Sequence, residues 1–389
     1  MRSRPRVIAL TAGLLLAAAT VPVATAQAAP ATATTDQALT SYLVVFDTGT
    51  TSAVARQLIT ATGGTVTSDL TSQIGVVLAT SAVPGFDAAL RASGLVVDAA
   101  EDWSFQGLPT TQARPGGAGG GPDPSSDVLE SQQWDMQQIH AEEAHAIQAG
   151  SRAVDVGILD SGIDGSHPDL QGKVISAVIA QQDEDDKATV VPSDPNANND
   201  LYGHGTAVAS IIARIAPHAR FIDVRVLGGN NLGRSDLLIA GLRYAVTSGA
   251  NLLNMSLAVN AENLPQIAPL CDQAYRRGIP IIAARRNRPL LDEGYPASLI
   301  PCIGVGNAGQ GPEAQWRYKT SVIEFEAFGV DVPAAAPGGG YTTVTGTSFA
   351  TPIVAGIVAL MLGAHPELRP FEIKALLKAY CEGEGPAPI

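Results

Sequence analysis

Apolar and polar residues follow one another in blocks along the second half of the chain. Apolar runs of strand length occupy residues 154–159, 221–226, 252–257, 279–284 and 303–305. Stretches with helical spacing of apolar residues occupy 206–215, 235–247, 264–277, 349–362 and 370–380. Strands without a polar face, separated by helices of about 10 to 15 residues, predict a parallel sheet with helices on both faces. The predicted fold class is therefore α/β.

A smaller set of elements precedes this pattern. Residues 41–46, 74–78 and 95–97 have the composition of strands, and helical spacing is found around residues 54–59 and 86–92. Together they predict a compact α+β unit of roughly 70 residues. Glycine and proline are concentrated between residues 108 and 126. This composition is typical of a flexible connector and predicts a domain boundary there.

The N-terminus has the pattern of a secretory signal peptide. Arg2, Arg4 and Arg6 precede an uncharged apolar run over residues 7–23, and the small residues Ala24-Thr25-Ala26 follow it. This order of charge, apolar stretch and small-residue cleavage site predicts a secreted, extracellular protein. Small residues and a proline dilute the run, so we expect a cleavable signal rather than a stable membrane anchor.

Composition excludes several classes of protein. The 389 residues are 46% hydrophobic and 16% charged, which excludes a disordered chain and a small disulfide-held scaffold. Lys and Arg number 24 against 37 Asp and Glu, so the net charge is -13. Such a charge repels phosphate backbones, and we expect no nucleic-acid partner. Three cysteines in an oxidising compartment allow one disulfide, which we expect between Cys271 and Cys302.

Three polar residues are predicted to lie at the carboxyl ends of strands, where parallel sheets place their catalytic and ligand-binding groups. Asp160 directly follows a predicted strand, His204 stands between two glycines at a helix start, and Ser348 lies in a turn that leads into an apolar helix. Each alone is typical of a turn, a loop or a helix cap. Together they are the set that makes a serine nucleophilic, because the imidazole removes the hydroxyl proton and the carboxylate supports the imidazole.

Around these residues the chain resembles the subtilisin-like serine peptidases, the subtilases. The resemblance is carried by VGILDSGID at 156–164 with HPDL at 167–170, by GHGTAVA at 203–209 and by GTSFATP at 346–352. These blocks follow the family's order of Asp, His and Ser. The resemblance implies an endopeptidase acting on polypeptides through an acyl-enzyme. In it, Ser348 attacks the scissile carbonyl, His204 is general base and then general acid, and Asp160 orients His204.

The resemblance also implies an oxyanion donor and a substrate-binding strand. Asn287 occupies the donor position, although Arg285 and Arg286 precede it where relatives usually carry a small residue and glycine. The alternative is a subtilase-fold binding protein in which these arginines have disabled turnover. For Arg285, Arg286 and Arg288 the alternatives are selection of acidic substrate residues nearby and solvated surface charge, and we expect the second. Ser256, Leu257 and Ala258 match the strand that pairs with substrate, but the family usually has glycine at the position of Ala258.

Other residues suggest chemistry that we do not expect. DTG at 47–49 and DSG at 160–162 imitate the two loops of an aspartic protease, but the alternation of strands and helices argues against that class. The acidic residues between 183 and 200 offer oxygen ligands for structural calcium, yet their spacing fits no defined calcium loop. We predict a solvated acidic loop and no metal or cofactor. His167 is expected to be structural, and residues 337–340 to form a turn.

The domain organisation predicted from these observations has four parts. They are a signal peptide (1–28), a pro-domain resembling the family's inhibitory pro-domains (36–105), a Gly/Pro-rich linker (106–128) and a peptidase domain (129–389). The pro-domain is expected to inhibit its own peptidase domain until the linker is cut. We expect the mature protein to be a monomer.

Overall fold

The computed structural model describes residues 39–47, 49–101, 104–106, 134–259, 264–286, 294–309, 317–318 and 325–381. The predicted signal peptide and nearly all of the predicted linker lie outside the described residues. The predicted oxyanion donor Asn287 lies outside them as well.

The N-terminal unit is a four-stranded antiparallel sheet in the order β2-β3-β1-β4. Its strands are β1 (Thr40–Phe46), β2 (Gly64–Leu70), β3 (Val76–Ser81) and β4 (Val96–Glu101), and its helices are α1 (Ser52–Ala61), α2 (Thr71–Ile74) and α3 (Phe86–Arg91). The sequence predicted all of these except β2 and α2. In β2 the polar residues Thr65, Thr67 and Ser68 surround Val66, so the strand lacks the apolar pattern by which β1 and β3 are recognised.

Both faces of this small sheet are buried. Tyr42, Val44 and Phe46 pack beneath the unit's own helices. Leu43 and Val45, which point to the opposite face, belong to a core cluster shared with the second half of the chain. Burial on both faces explains why the strand is a continuous apolar run rather than an alternating one.

The second half of the chain forms a nine-stranded sheet in the order β14-β15-β13-β12-β11-β6-β9-β7-β8. The inner seven strands are parallel, and the edge strands β14 and β8 are antiparallel to their neighbours. The strands are β6 (Asp155–Asp160), β7 (Val174–Gln182), β8 (Ala188–Ser193), β9 (Arg220–Arg225), β11 (Leu252–Met255), β12 (Ile281–Ala284), β13 (Cys302–Gly309), β14 (Arg317–Tyr318) and β15 (Phe325–Phe328).

Four further strands stand outside this sheet. β5 (Ser104–Gln106) pairs with β10 (Leu232–Arg234), and β16 (Val332–Ala336) forms a hairpin with β17 (Gly340–Val344). The turn predicted at residues 337–340 is confirmed as the turn of this hairpin. The helices are α4 (Trp134–Gln138), α5 (Ala141–Ile147), α6 (His204–Ile215), α7 (Ser235–Thr247), α8 (Leu264–Arg276), α9 (Thr347–Ala364) and α10 (Pro370–Cys381).

The core lies on both sides of the sheet, as predicted. Helices α6, α9 and α10 contribute to one apolar cluster, whereas α7 and α8 contribute to the other. Helix α9 is long and apolar enough to span a membrane, but 72% of its 18-residue apolar window is buried inside the protein. Its composition is therefore that of a central core helix. The predicted α/β architecture, preceded by a small α+β unit, is confirmed.

The expected disulfide is wrong. All three cysteines lie in the described part of the chain, and all three are thiols. Cys271 on α8 and Cys302 at the start of β13 are both fully buried in the same apolar cluster. A buried thiol packs as a small apolar side chain, which accounts for both positions without a covalent bond.

Candidate active site

Asp160 is the last residue of β6 and is completely buried. The chain turns sharply behind it at Gly162, which has φ +106°. A Cβ at Gly162 would lie 2.2 Å from the carbonyl oxygen of Asn199, so only glycine permits both this conformation and this close approach. The strand therefore ends with its carboxylate held at the carboxyl edge of the sheet, as predicted.

His204 is the first residue of α6, and its imidazole meets this carboxylate. The distance from His204 Nδ1 to Asp160 Oδ1 is 2.7 Å, with His204 only 2% exposed. The helix start can come this close because residue 205 is a glycine. A Cβ at Gly205 would lie 2.1 Å from the carbonyl oxygen of Gly162. Since a carboxylate only accepts, the proton sits on Nδ1, and Nε2 is left as the basic nitrogen of the neutral ring.

The electrostatics around His204 favour its protonated form. Burial of the ring lowers its pKa, but the charge and hydrogen bond of Asp160 act in the opposite direction. The charge of Asp200 adds to them, and the net result is a raised pKa of His204. A base strengthened in this way is suited to accepting a proton from a neighbouring hydroxyl.

Asp200 organises the start of α6 and corrects part of the sequence analysis. Its Oδ1 accepts hydrogen bonds from Ser161 Oγ (2.7 Å) and from the N–H groups of Tyr202 (3.0 Å) and Gly203 (2.7 Å). Its Oδ2 accepts from both the N–H (2.9 Å) and the hydroxyl (2.6 Å) of Thr206. We grouped Asp200 with a solvated acidic loop, but it is 7% exposed and ties two site segments together.

The remaining acidic residues between 183 and 200 follow the prediction more closely. Asp183 closes the turn of the β7–β8 hairpin by accepting from the N–H groups of Asp185 (3.0 Å) and Lys187 (2.9 Å). The predicted loop was too long, because residues 188–193 within it form β8. In the described part of the chain, no group of three or more His, Cys, Asp or Glu side chains is placed to hold a metal ion.

Ser348 is the second residue of α9 and is 1% exposed. Its hydroxyl donates to the carbonyl oxygen of Ser256 (3.2 Å), and the hydroxyl of Ser256 donates to the carbonyl oxygen of Ser348 (2.8 Å). The adjacent Phe349 has its ring centroid 5.1 Å from that of His204. Among the described residues, Nε2 of His204 has no hydrogen-bond partner. The structure thus joins Asp160 to His204 and brings the Ser348 segment beside them, without a Ser348–His204 hydrogen bond.

The predicted substrate strand and the two arginines border Ser348. Ser256, Leu257 and Ala258 continue from β11 and are buried. Arg285 extends β12, donating its N–H to Val305 (2.9 Å), and its carbonyl accepts the hydroxyl of Thr347. Arg285 and Arg286 are both half-buried, so part of each side chain packs against the protein. They lie in the wall of the site because β12 runs directly into it.

Asp223, in the middle of β9, is a buried carboxyl group that the sequence analysis missed. Its Oδ2 accepts the N–H of Ile163 (3.1 Å), in the turn behind Asp160. Burial raises its pKa well above the usual value, and the charges of Asp200 and Asp160 act in the same direction. The available signal was a single acidic residue inside the apolar run 221–226.

Two other predicted roles can be read from the structure. His167 is fully buried and its Nε2 lies 3.0 Å from the carbonyl oxygen of Gly340, which confirms a structural position. Asp47 is exposed in the N-terminal unit, whereas Asp160 is buried and bound to His204. An aspartic dyad of Asp47 and Asp160 is therefore excluded.

Comparison with known proteins agrees with this geometry. The model of the subtilase family matches residues 151–383. Subtilisin E of Bacillus subtilis (strain 168) is 32% identical over 254 residues, covering 62% of this chain and 63% of that protein. Subtilisin of Bacillus pumilus is 32% identical over 247 residues, covering 60% of this chain and 85% of the relative.

A solved structure shares the fold. Fervidolysin from Fervidobacterium pennivorans, a keratinolytic enzyme related to subtilisin, superimposes with a TM-score of 0.66 at 20% identity. The match covers 89% of this chain and 58% of that structure. The chain thus spans less than two thirds of the length of fervidolysin and of subtilisin E. Because the family model covers more than half of the chain, the protein belongs to the subtilase family.

Proposed function

We propose that this protein is a secreted serine endopeptidase that hydrolyses peptide bonds through an acyl-enzyme on Ser348. The observation that carries the proposal is the buried hydrogen bond of 2.7 Å between Asp160 and His204, next to the helix that begins with Thr347 and Ser348. Family membership supports the same reaction class. Secretion rests on the signal-peptide pattern of residues 1–28.

The chemistry begins with a proton transfer. His204 Nε2 accepts the proton of Ser348 Oγ while Oγ forms a bond to the scissile carbonyl carbon. For this step Ser348 Oγ must release the Ser256 carbonyl and turn to the imidazole. The protonated ring then gives its proton to the leaving amine as the C–N bond breaks. Water enters in the same way, through His204, and releases the acid product and the free hydroxyl of Ser348.

The negative charge on the tetrahedral intermediate needs donors that are already in place. Ser348 lies in the first turn of α9, where backbone N–H groups have no helical partner and the helix dipole favours negative charge. We assign one donor to the N–H of Ser348. Asn287 is the proposed second donor, on the strength of its position after β12 and the family resemblance.

Strand pairing supports an inhibitory role for the N-terminal unit. β5, directly after that unit, pairs antiparallel with β10, with Phe105 opposite Gly233. β10 is close to the site because Gly233 bridges to Leu227, whose N–H donates to the carbonyl oxygen of Asp160 (3.1 Å). An extended peptide added to this edge is bound as a substrate would be. Residues 36–105 are accordingly proposed as an intramolecular inhibitor, released by cleavage within 106–128 to give an active monomer.

A fluorophosphonate probe, which labels activated serines, tests the proposal directly. The secreted wild type should be labelled and should lose the label when Ser348 is replaced by Ala. Ser248→Ala, at the end of α7 and away from the site, should keep it. Labelling of Ser348→Ala as strong as that of the wild type would refute the assignment.

Mass spectrometry of the secreted product tests maturation. The wild type should lose the signal peptide and the pro-domain, whereas Ser348→Ala should accumulate as the unprocessed chain if maturation is autocatalytic. The mass of the mature species locates the cleaved bond. A wild type that retains residues 36–105 while being fully active would remove the inhibitor role.

Two observations favour the second candidate, a binding protein without turnover. The hydroxyl of Ser348 donates its hydrogen bond to the carbonyl oxygen of Ser256 and not to His204. In addition, Arg285 and Arg286 precede the proposed oxyanion donor. In that case neither the wild type nor Ser348→Ala takes the probe, and peptides bind without being cut. Labelling of the wild type alone decides against it.

A further inference from the structure

Arg286 fills space at the end of the predicted substrate strand. A Cβ built on Gly294 would lie 2.9 Å from Arg286 Cγ and 3.1 Å from Ala258 Cβ. The aliphatic stem of Arg286 and the methyl group of Ala258 therefore meet at the same glycine. Ala258 is 5% exposed and packs against Ala284, which is fully buried.

This cluster adjoins the proposed nucleophile on two sides. Ala258 lies two residues after Ser256, which exchanges hydrogen bonds with Ser348. Arg286 follows Arg285, whose carbonyl accepts the hydroxyl of Thr347, the neighbour of Ser348. A peptide that pairs with 256–258 and presents a carbonyl to Ser348 must direct the side chain before that carbonyl toward Ala258 and Arg286.

The cluster of Ala258, Ala284 and Arg286 combines small apolar groups with one positive charge. The methyl groups of Ala258 and Ala284 and the stem of Arg286 occupy the space at the end of this strand, which should disfavour an aromatic or a large aliphatic substrate side chain there. Arginine presents a planar fork of donors that matches a carboxylate and keeps its charge at every physiological pH. A partly desolvated guanidinium attracts an anion more strongly than one in open water.

We propose that Arg286 is a specificity-determining residue that directs cleavage to the bond after an acidic residue, glutamate or aspartate. The inference rests on the proposed peptidase function and deepens it by naming the substrate class. Arg286 acts by the position of its charge and by the space its stem occupies. The two contributions can be separated by different substitutions.

Three peptides test the charge, identical except for Glu, Gln or Phe before the scissile bond. For the wild type, kcat/KM should be about 10- to 100-fold higher for Glu than for Gln, since one charge-assisted pair is added between equal volumes. Phe should be the poorest of the three. For Arg286→Gln, kcat/KM should be equal for the Glu and Gln peptides. It should stay low for the Phe peptide, because the stem of the side chain is retained.

Arg286→Gly tests the space. Removing the stem should raise kcat/KM for Phe above that for Glu. Arg152→Gln, an exposed arginine before β6, is the charge-matched control and should keep the preference for Glu. Should Arg286→Gly fail to fold, Arg286→Gln still decides whether the charge selects the substrate.

Fluorophosphonate labelling of the same samples separates the two proposals. A wild type that is labelled and cleaves Gln or Phe as well as Glu overturns the role of Arg286 and leaves the peptidase assignment intact. A wild type that is neither labelled nor able to cut any of the three peptides overturns the proposed function, and the specificity inference with it.

Discussion

The hydroxyl of Ser161 donates a hydrogen bond to Asp200 Oδ1 (2.7 Å) and accepts one from the N–H of Gly205 (3.0 Å). Ser161 follows Asp160, and Gly205 follows His204. This single side chain therefore joins the turn behind the carboxylate, the loop before α6 and the start of α6. The Asp160–His204 contact is held from behind by a buried polar network, in which the hydroxyl of Ser161 and both carboxylate oxygens of Asp200 have hydrogen-bond partners.

Replacing Asp200 by Asn should shift the pH dependence of activity. The charge of Asp200 raises the pKa of His204, so its removal lowers that pKa. Only the neutral imidazole acts as a base, and the acid limb of kcat/KM should therefore move to lower pH. Asn keeps one acceptor oxygen, so the donors to the other oxygen, either Gly203 or Thr206, lose their acceptor, and the free energy of unfolding should fall by about 1 to 3 kcal/mol.

A pH series of kcat/KM with one unvarying peptide measures this shift. Asp194→Asn changes an exposed carboxylate in the same loop and should leave the acid limb in place. An acid limb of Asp200→Asn that stays where it is in the wild type, or moves to higher pH, would show that Asp200 does not act on His204 through its charge.

Gly205→Ala should damage the site by separating α6 from the Asp160 turn. Its Cβ would lie 2.1 Å from the carbonyl oxygen of Gly162 and 3.1 Å from Asp160 Cβ. We expect a loss of about 2 to 4 kcal/mol in urea unfolding, together with a loss of activity in whatever remains folded. Gly340→Ala is the control, because a Cβ there meets nothing within 4 Å. Equal stability of both variants would contradict the close approach.

Sequence alone was sufficient for the parts of the fold and site that depend on local pattern. The alternation of apolar strands and helices identified the parallel sheet, and the blocks around Asp160, His204 and Ser348 indicated which strand and helix ends to examine. Strands β2 and β8 were not predicted, since their sequences, GTVTSDL and ATVVPS, lack a clear apolar period. Asn287 stays a prediction, because it lies outside the described residues.

What the sequence could not reveal was burial that depends on distant partners. Asp200 looked like one of many loop acids, yet five hydrogen bonds hold it under α6. Arg286 was expected to be a solvated surface charge, but it is half-buried and its stem lies against Gly294. The expected Cys271–Cys302 disulfide is also wrong. Both side chains are buried in one apolar cluster, where a small thiol packs without a covalent partner.

Asp223→Asn should make the protein less sensitive to rising pH. The pKa of Asp223 is raised in the folded protein, so the folded state binds this proton more tightly than the unfolded state does. Its contribution to stability is complete below the unfolded pKa of about 4 and is lost as pH rises toward the folded pKa. Asn cannot titrate and still offers an oxygen to the N–H of Ile163.

Urea unfolding of both proteins across the acidic to neutral range measures the effect. The difference in unfolding free energy, variant minus wild type, should increase with pH. Asp272→Asn, at an exposed position on α8, is the control for the loss of one carboxylate. A constant difference for Asp223→Asn would mean that Asp223 has similar proton affinities in both states.

Leu43→Ala should loosen the N-terminal unit from the peptidase region. Leu43 is fully buried in the core cluster that includes Leu238 and Leu270 of helices α7 and α8. Truncating a buried leucine costs about 2 to 5 kcal/mol, which corresponds to at least about 30-fold in Kd if the loss falls on this contact. The Ser348→Ala background prevents self-processing, and an added protease can cut the linker between residues 106 and 128.

Gel filtration after that cut shows whether the two fragments remain together. They should co-elute in the Ser348→Ala background and separate on dilution when Leu43→Ala is added. Val54→Ala, on the exposed side of α1 at 40% exposure, removes a similar apolar group away from the contact and should leave the fragments associated. Co-elution of the Leu43→Ala fragments at every dilution would mean that other contacts, such as the β5–β10 pairing and the hydrogen bond from Gln266 to Asp98 (3.2 Å), hold the unit without help from this apolar face.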